Sequence, residues 1–127
     1  MNISVLGCGR WGSFIAWYLN KLNHNVTLYG RNSSNKMKKF MQERTNGLVT
    51  LDNKIELTTD LKKAIDTSKI IVVSISSQNF RALMKEISDF NLNEKIMVLC
   101  MKGIEAGSGM RLTQIVSYYV PNLPCAI

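Results

Sequence analysis

Side chains suited to metal binding or disulfide cross-linking are scarce in this chain. It has one histidine and three cysteines, and the cysteines form neither a CxxC pair nor another spacing typical of metal ligands. The N-terminus also lacks the basic stretch, apolar core and small-residue cleavage site of a secretory signal. A disulfide framework and a structural zinc site are therefore not expected.

Long hydrophobic runs and early acidic residues are missing as well. No apolar run reaches the length of a membrane span, and together with the missing signal this predicts a cytoplasmic protein. The first acidic residue in the chain is Glu43. No carboxylate is therefore available before that residue to bind a ligand.

Length and charge indicate one domain that binds small anions. The 127 residues are 46% hydrophobic, which is enough for one core, so a single domain is predicted over residues 1–127. The net charge is +7, but lysine and arginine are spread along the chain and only Lys36–Lys39 approaches a cluster. No interleaving of basic and aromatic residues is present, so anionic small molecules explain the charge and no nucleic-acid partner is expected.

Three glycines close to the N-terminus give the strongest functional signal. Gly7, Gly9 and Gly12 form a GxGxxG motif directly after the apolar run at residues 3–6 and before a helical pattern. In that context the first glycine permits a tight turn, the second lets a pyrophosphate approach the backbone, and the third lets the helix pack on the sheet. A dinucleotide is predicted, with its phosphates at the helix N-terminus. The alternative is a glycine-rich turn that serves packing alone.

Strand and helix patterns alternate along the rest of the chain. Strands are predicted at 3–6, 25–29, 55–58, 70–75, 96–101 and 125–127, and helices at 11–22, 34–44, 61–65, 78–90 and 109–120. This alternation predicts an α/β, Rossmann-type doubly wound parallel sheet with helices on both faces and the strand order 3-2-1-4-5-6. The final strand is truncated by the end of the sequence. No internal repeat or linker interrupts the pattern.

Hydrophobic spacing also predicts which side chains face the core. In the first helix the inward residues are expected to be Phe14, Ile15, Tyr18, Leu19 and Leu22, with Trp11 placed beside the cofactor phosphates by its position in the glycine loop. In the second helix they are expected to be Met37, Phe40 and Met41. The segment Thr45-Asn46-Gly47 is expected to end that helix, and Thr59 or Asp60 to cap the third.

The residues after the second strand bear on the choice of cofactor. NAD-binding domains place a carboxylate there, about 20 residues past the glycines, to bind the ribose hydroxyls. This chain has Arg31 instead, whose planar fork of donors can pair with a 2′-phosphate. NADP(H) is therefore favoured, with NAD as the second candidate. Alternatively, Arg31 is a solvent-exposed arginine stacked on the adenine, and Ser33 and Ser34 either bind the phosphate or cap the next helix.

Two further loops follow strands that flank the predicted ligand crevice. The loop at 74–78 after the fourth strand is rich in hydroxyl groups, which either cap the next helix or contact the cofactor. After the fifth strand, Lys102 precedes Gly103 and could hold an anionic substrate or polarise a carbonyl. Otherwise Lys102 is a surface lysine whose stem covers apolar groups.

Four segments together resemble bacterial NAD(P)-dependent glycerol-3-phosphate dehydrogenase over essentially the whole chain. They are Gly7–Ser13, Val26–Arg31, Ser76–Gln78 with Arg81, and Met101–Glu105. Met101 replaces the serine that usually precedes the lysine of this family, and Ser76 replaces a usual proline. The resemblance implies that Arg10, Trp11, Arg31 and Lys102 bind NADPH and that Lys102 also touches dihydroxyacetone phosphate or glycerol 3-phosphate.

The resemblance further implies hydride transfer between NADPH and dihydroxyacetone phosphate, supplying glycerol 3-phosphate for phospholipid synthesis. In this family a helical C-terminal domain carries the proton-transferring lysine, so no catalytic residue is expected in these residues, and a homodimer is compatible with the resemblance. Two alternatives stay open: a ketopantoate- or hydroxyacid-type reductase, and a non-catalytic nucleotide-sensing module. The segment 102–105 and the missing acid after the second strand count against the second alternative.

Overall fold

All six strands pair in parallel within one sheet. The computed structural model describes residues 1–127 and orders the strands β3-β2-β1-β4-β5-β6. Their bounds are β1 Asn2–Leu6, β2 Asn25–Tyr29, β3 Glu56–Thr58, β4 Ile70–Val73, β5 Ile96–Leu99 and β6 Cys125–Ala126. The register sets Val5 beside both Leu28 of β2 and Val72 of β4. The predicted doubly wound sheet and its strand order are confirmed.

Five α-helices connect the strands. They are α1 Arg10–Lys21, α2 Asn35–Glu43, α3 Leu61–Asp66, α4 Phe80–Ile87 and α5 Leu112–Tyr119, and a single 3₁₀ turn at Ser77–Asn79 precedes α4. The last two helices are shorter than predicted. Instead of starting α5, Gly109 has a φ of 68° and belongs to the loop that follows β5. No helix has the length and apolar character needed to span a bilayer.

Each face of the sheet carries its own hydrophobic core. One core joins α3, α4 and α5 to the sheet and includes fully buried Phe80, Met84 and Ile115. The other joins α1 and α2 to the opposite face and includes fully buried Met37 and Phe40. The central strands carry apolar side chains toward both cores, as expected for a sheet covered on both sides. Met41, predicted to face the core, is 46% exposed, so that prediction is wrong.

The first helix packs through its small residues, contrary to the prediction from hydrophobic spacing. Gly12, Ser13 and Ala16 are buried, and Ile15 and Leu19 pack partly against the core. By contrast, the predicted inward residues Phe14, Tyr18 and Leu22 are 38%, 51% and 51% exposed. Small residues let the helix backbone approach the sheet closely, so the larger side chains of the apolar stripe are displaced outward.

Helix capping follows the prediction at two N-termini and departs from it at one C-terminus. The hydroxyl of Ser34 accepts a hydrogen bond from the Met37 amide at α2, and Asp60 does the same for Lys63 at α3. The second helix ends near residue 44 as predicted, but its left-handed C-cap is Arg44, with a φ of 58°, and not Asn46 or Gly47 as predicted.

Arg44 also organises the loop that follows α2. Its guanidinium donates hydrogen bonds to the carbonyls of Leu51 at 3.2 Å, Asp52 at 2.6 Å and Ile55 at 2.6 Å. One side chain therefore satisfies three carbonyls that no helix or strand pairs, which is why a non-glycine residue is retained in the left-handed conformation.

We expect Arg44→Ala to lower the free energy of unfolding by about 1.5–3 kcal/mol, because hydrogen bonds to a charged donor are lost. Arg44→Gly should be less destabilising than Arg44→Ala by about 1 kcal/mol, since glycine adopts a positive φ without the Cβ penalty. Lys39→Ala on the same helix is the matched control, with an expected change within about 0.5 kcal/mol. Urea unfolding measures all three, and equal stability of Arg44→Ala and Lys39→Ala would contradict the assignment.

Candidate functional site

A cleft of about 710 Å³ opens at the carboxyl ends of the central strands. The glycine loop after β1, the start of α2 and the loops after β4 and β5 contribute to its walls. This is the crevice where strand order reverses, between β1 and β4. Six of the seven residues predicted from the sequence line it: Gly7, Gly9, Arg10, Trp11, Gly12 and Arg31.

Two glycines of the loop are required by the packing of the protein itself. Gly7 has a φ of 118°, and a Cβ built there would lie 2.0 Å from the carbonyl oxygen of Ser74. A Cβ on Gly12 would lie 2.0 Å from the carbonyl oxygen of Gly7. Neither position leaves room for a side chain, so these glycines bring β1, α1 and the end of β4 into contact.

Gly9 differs from the other two, because nothing in the protein requires a glycine at this position. Its φ of −70° and ψ of −170° suit any residue, and a Cβ built there would meet no atom within 4 Å. The space in front of Gly9 is open cleft. A side chain would fit the protein here but would occupy the place where a ligand can approach the backbone.

The N-terminus of α1 points its free backbone N–H groups into the same cleft. Gly9 is the N-cap, no side chain caps the helix, and its first turn has no acidic residue. The caps of α2 and α3, by contrast, are Ser34 and Asp60, which satisfy N–H groups at those helices. Unpaired N–H groups and the positive end of the helix dipole together favour an anion at this point.

At the end of β2 the chain turns sharply and exposes basic residues. A Cβ on Gly30 would lie 2.8 Å from both Cys8 Sγ and Met37 Cβ, so close packing holds the turn. Arg31 follows it, is exposed and lines the cleft, and its guanidinium has no hydrogen-bond or ion-pair partner in the protein. Ser33 and Lys36 line the cleft beside it. These unpaired donors can bind a phosphate group.

One acidic residue of the cleft was missed by the sequence reasoning. Glu86 of α4 lines the cleft together with Arg31, although the two are far apart in the chain. Glu86 acts electrostatically on Tyr29. The pKa of the Tyr29 hydroxyl is raised mainly by burial and next by the negative charge of Glu86, while the positive charge of Arg31 lowers it. No sequence signal marked Glu86, because its place depends on how α4 packs beside the end of β2.

The structure shows a capping role for Ser34 and Ser76, which also line the cleft. Ser34 caps α2, and its hydroxyl lies 3.7 Å from the sulfur of Cys8. Ser76 accepts a hydrogen bond from the Gln78 amide at 3.4 Å and so caps the 3₁₀ turn. Ser33 makes no such bond and remains free to contact a ligand. Trp11 is 57% exposed at the cleft and stacks on Phe14, with ring centroids 5.5 Å apart.

Lys102 lies next to the cleft but is not among the residues that line it. Met101 lines the cleft, and Lys102 follows as an exposed residue without a hydrogen-bond or ion-pair partner. Gly103 has a φ of 111° and faces Ser77, whose hydroxyl would lie 3.4 Å from an added Cβ. The structure thus places the seventh predicted residue at the rim of the cleft, with its ammonium unpaired.

Arg81 and Glu105, which belong to two of the segments that carry the family resemblance, form a charged pair. Arg81 Nε lies 2.8 Å from Glu105 Oε2, and Arg81 Nη2 lies 2.9 Å from Glu105 Oε1. The hydroxyl of Ser108 donates to the same carboxylate at 2.6 Å. These donors, Arg81 first, lower the pKa of Glu105 from 4.5 to about 2.

We expect this pair to make stability depend on pH in acid. Because the pKa of Glu105 is lower in the folded protein than its ordinary 4.5, its stabilising effect is complete above that pH and is lost as pH falls toward 2. Urea unfolding between about pH 6 and about pH 2 should therefore show a shallower loss of stability for Glu105→Gln than for the parent. Identical slopes in this window would contradict the role assigned to the pair.

Comparison with known proteins gives one consistent result. The family described as NAD-dependent glycerol-3-phosphate dehydrogenase N-terminus matches residues 2–127. Glycerol-3-phosphate dehydrogenase [NAD(P)+] of Thermoanaerobacter sp. (strain X514) is 37% identical over 128 residues, covering 96% of this chain and 38% of that protein. The enzyme of the same name from Streptococcus uberis is 32% identical, covering 94% of this chain and 36% of that protein.

Solved structures agree on the fold. Glycerol-3-phosphate dehydrogenase from Coxiella burnetii superposes with a TM-score of 0.89 at 20% identity, over 98% of this chain and 39% of that one. The yeast enzyme superposes with a TM-score of 0.80 at 19% identity, over 99% of this chain and 41% of that one. The chain spans less than half the length of these relatives. Since the family match extends over residues 2–127, the chain belongs to the N-terminal domain family of NAD-dependent glycerol-3-phosphate dehydrogenase.

Proposed function

We propose that this chain is the cofactor-binding domain of an NAD(P)-dependent glycerol-3-phosphate dehydrogenase and that NADPH occupies the cleft at the glycine loop. The observation that carries the proposal is Gly9, a glycine with ordinary backbone angles and open space where its side chain would be. Protein packing explains Gly7 and Gly12 but not Gly9. A pyrophosphate lying against the backbone explains it.

Each end of the cleft has groups that suit one part of the cofactor. The uncapped N-terminus of α1, with Arg10 and Trp11 in its first turn, would hold the pyrophosphate. Arg31, with Ser33 and Lys36 beside it, would bind the 2′-phosphate of the adenosine. Lys102 would lie toward the nicotinamide end and meet the phosphorylated substrate. When bound, NADPH supplies the hydride, and these residues orient it.

The proposed reaction of the whole enzyme is reversible hydride transfer between NADPH and dihydroxyacetone phosphate, giving the glycerol 3-phosphate used in phospholipid synthesis. The relatives that carry this name are more than twice as long as this chain. We assign proton transfer to a helical C-terminal domain of the whole enzyme, so residues 1–127 bind the cofactor and contain no catalytic residue. A cytoplasmic location, a homodimer and the absence of a nucleic-acid partner belong to the same proposal and rest on the sequence.

We expect Gly9→Val to abolish binding of both NADPH and NADH while the domain stays folded, since the valine occupies only the space of the pyrophosphate. Its free energy of unfolding should lie within about 1 kcal/mol of the parent. Gly12→Val is the matched contrast and should fail to fold stably, because its side chain overlaps the Gly7 carbonyl. Calorimetric titration and circular dichroism check these outcomes, and a Gly9→Val variant that binds NADPH normally would place the dinucleotide elsewhere.

We also expect the unmodified chain to bind NADPH more tightly than NADH, because Arg31 stands where an acid would repel a 2′-phosphate. Arg31→Ala should reduce the difference in binding free energy between NADPH and NADH by about 1.5–3 kcal/mol, the usual contribution of a hydrogen bond to a charged group. Lys69→Ala removes one positive charge just before the start of β4, at the end of the strands opposite the cleft. It should leave the difference in binding free energy between NADPH and NADH unchanged. Equal affinities of the unmodified chain for the two cofactors would refute the assignment of Arg31.

A further inference from the structure

The loop between β5 and α5 has a composition that would normally make it mobile. Three of its residues, Gly103, Gly107 and Gly109, are glycines with φ values of 111°, 89° and 68°. Glycines lose more conformational freedom on ordering than any other residue. A single ordered conformation of this loop therefore needs contacts that offset a large entropic cost.

Glu105 supplies the central contact. Its side chain is only 14% exposed and accepts two hydrogen bonds from Arg81 of α4 and one from Ser108 within the loop. The Arg81 guanidinium also lies 5.7 Å from the ring centroid of Tyr119 of α5, and its Nη1 is 3.4 Å from the Tyr119 hydroxyl. The pair thus ties the loop to α4 and α5 at once.

A second contact clamps the backbone on both sides of Glu105. The Gln78 side-chain amide donates to the carbonyl of Ile104 at 3.1 Å and accepts from the amide of Ala106 at 2.9 Å. Ile104 is further paired with Arg111 in an antiparallel bridge. From Ile104 to Ala106 the loop is therefore held against Gln78 and Arg81, beginning two residues after Lys102.

We propose that Arg81, Glu105 and Gln78 are positioning residues, which hold the backbone beside Lys102 so that its unpaired ammonium faces the bound cofactor. This inference rests on the proposed function and deepens it. The hydrogen bonds begin at Ile104, two residues after Lys102, and the Lys102 side chain has no protein partner, so the protein orders the adjacent backbone and leaves the charge of Lys102 for a ligand. A displaced backbone would move the ammonium by more than a productive ion pair tolerates.

A double-mutant cycle on NADPH affinity tests this inference in the chain itself. Lys102→Ala and Glu105→Gln should each weaken NADPH binding, by roughly threefold to tenfold, through the loss of one charge-assisted contact. The double variant should be no weaker than Lys102→Ala alone, because the pair acts through Lys102. Lys63→Met, which breaks the ion pair between Lys63 and Glu56 in another part of the fold, is the control and should leave the affinity unchanged.

A spectroscopic measurement separates positioning from general stability. Reductive methylation with ¹³C-formaldehyde labels the lysines, and the Lys102 signal is the one missing in Lys102→Ala. NADPH should shift this signal in the parent and shift it less in Glu105→Gln and in Arg81→Lys, which keeps the charge but loses the planar fork. If circular dichroism shows that Glu105→Gln does not fold, Arg81→Lys replaces it as the variant that disrupts the pair.

The outcomes distinguish this inference from the proposed function. If the unmodified chain shows no saturable NADPH binding, the proposed function fails and the inference fails with it. If NADPH binds but Lys102→Ala has no effect, or the effects of Lys102→Ala and Glu105→Gln add, only the inference is overturned. The inference is also overturned if NADPH shifts the Lys102 signal by the same amount in Glu105→Gln and Arg81→Lys as in the parent.

Discussion

The close approach of α1 to the sheet at Gly7 and Gly12 is the constraint on which the rest of the site depends. The Gly7 carbonyl occupies the place that a Cβ of residue 12 would need, so α1 can pack this close to the sheet only because residue 12 is a glycine. That contact buries Ser13 and Ala16 and leaves Trp11, Phe14 and Tyr18 exposed, while Trp17 packs partly against the core. It also aims the free N–H groups of the first turn into the cleft at the end of β1.

Electrostatics in the cleft follow from which elements reach it. The glycine loop, the uncapped end of α1 and the basic residues after β2 all come from the part of the chain that precedes Glu43, the first acid. Their common sign favours an anionic ligand with several phosphates. Glu86 is the exception: it comes from α4 and brings a negative charge to the wall of the cleft.

Arginine side chains stabilise the two long loops in the same way. Arg44 satisfies three backbone carbonyls of the loop that follows α2, and Arg81 binds the carboxylate that anchors the loop after β5. In the first of these loops Leu51 and Ile55 are also buried in the core, whereas the loop after β5 has no buried residue and depends more on hydrogen bonds from the charged planar donor. The core itself lies between the helices and the sheet.

Local patterns in the sequence were enough to predict the order of elements, the parallel sheet and the glycine loop, and they narrowed the caps of α2 and α3 to Ser33 or Ser34 and to Thr59 or Asp60. Strand periodicity and N-caps depend on residues within a few positions of one another, so one sequence reveals them. The right-handed connection between parallel strands is a general rule of such sheets. Tertiary structure alone decided that small residues of α1 face the sheet, that Arg44 ends α2, and that Glu86 enters the cleft. It also decided that Arg81 meets Glu105, 24 residues away in the chain. Contacts between distant residues depend on how elements pack in three dimensions. Hydrophobic spacing shows which residues are apolar, but it does not show how closely a helix can approach its sheet.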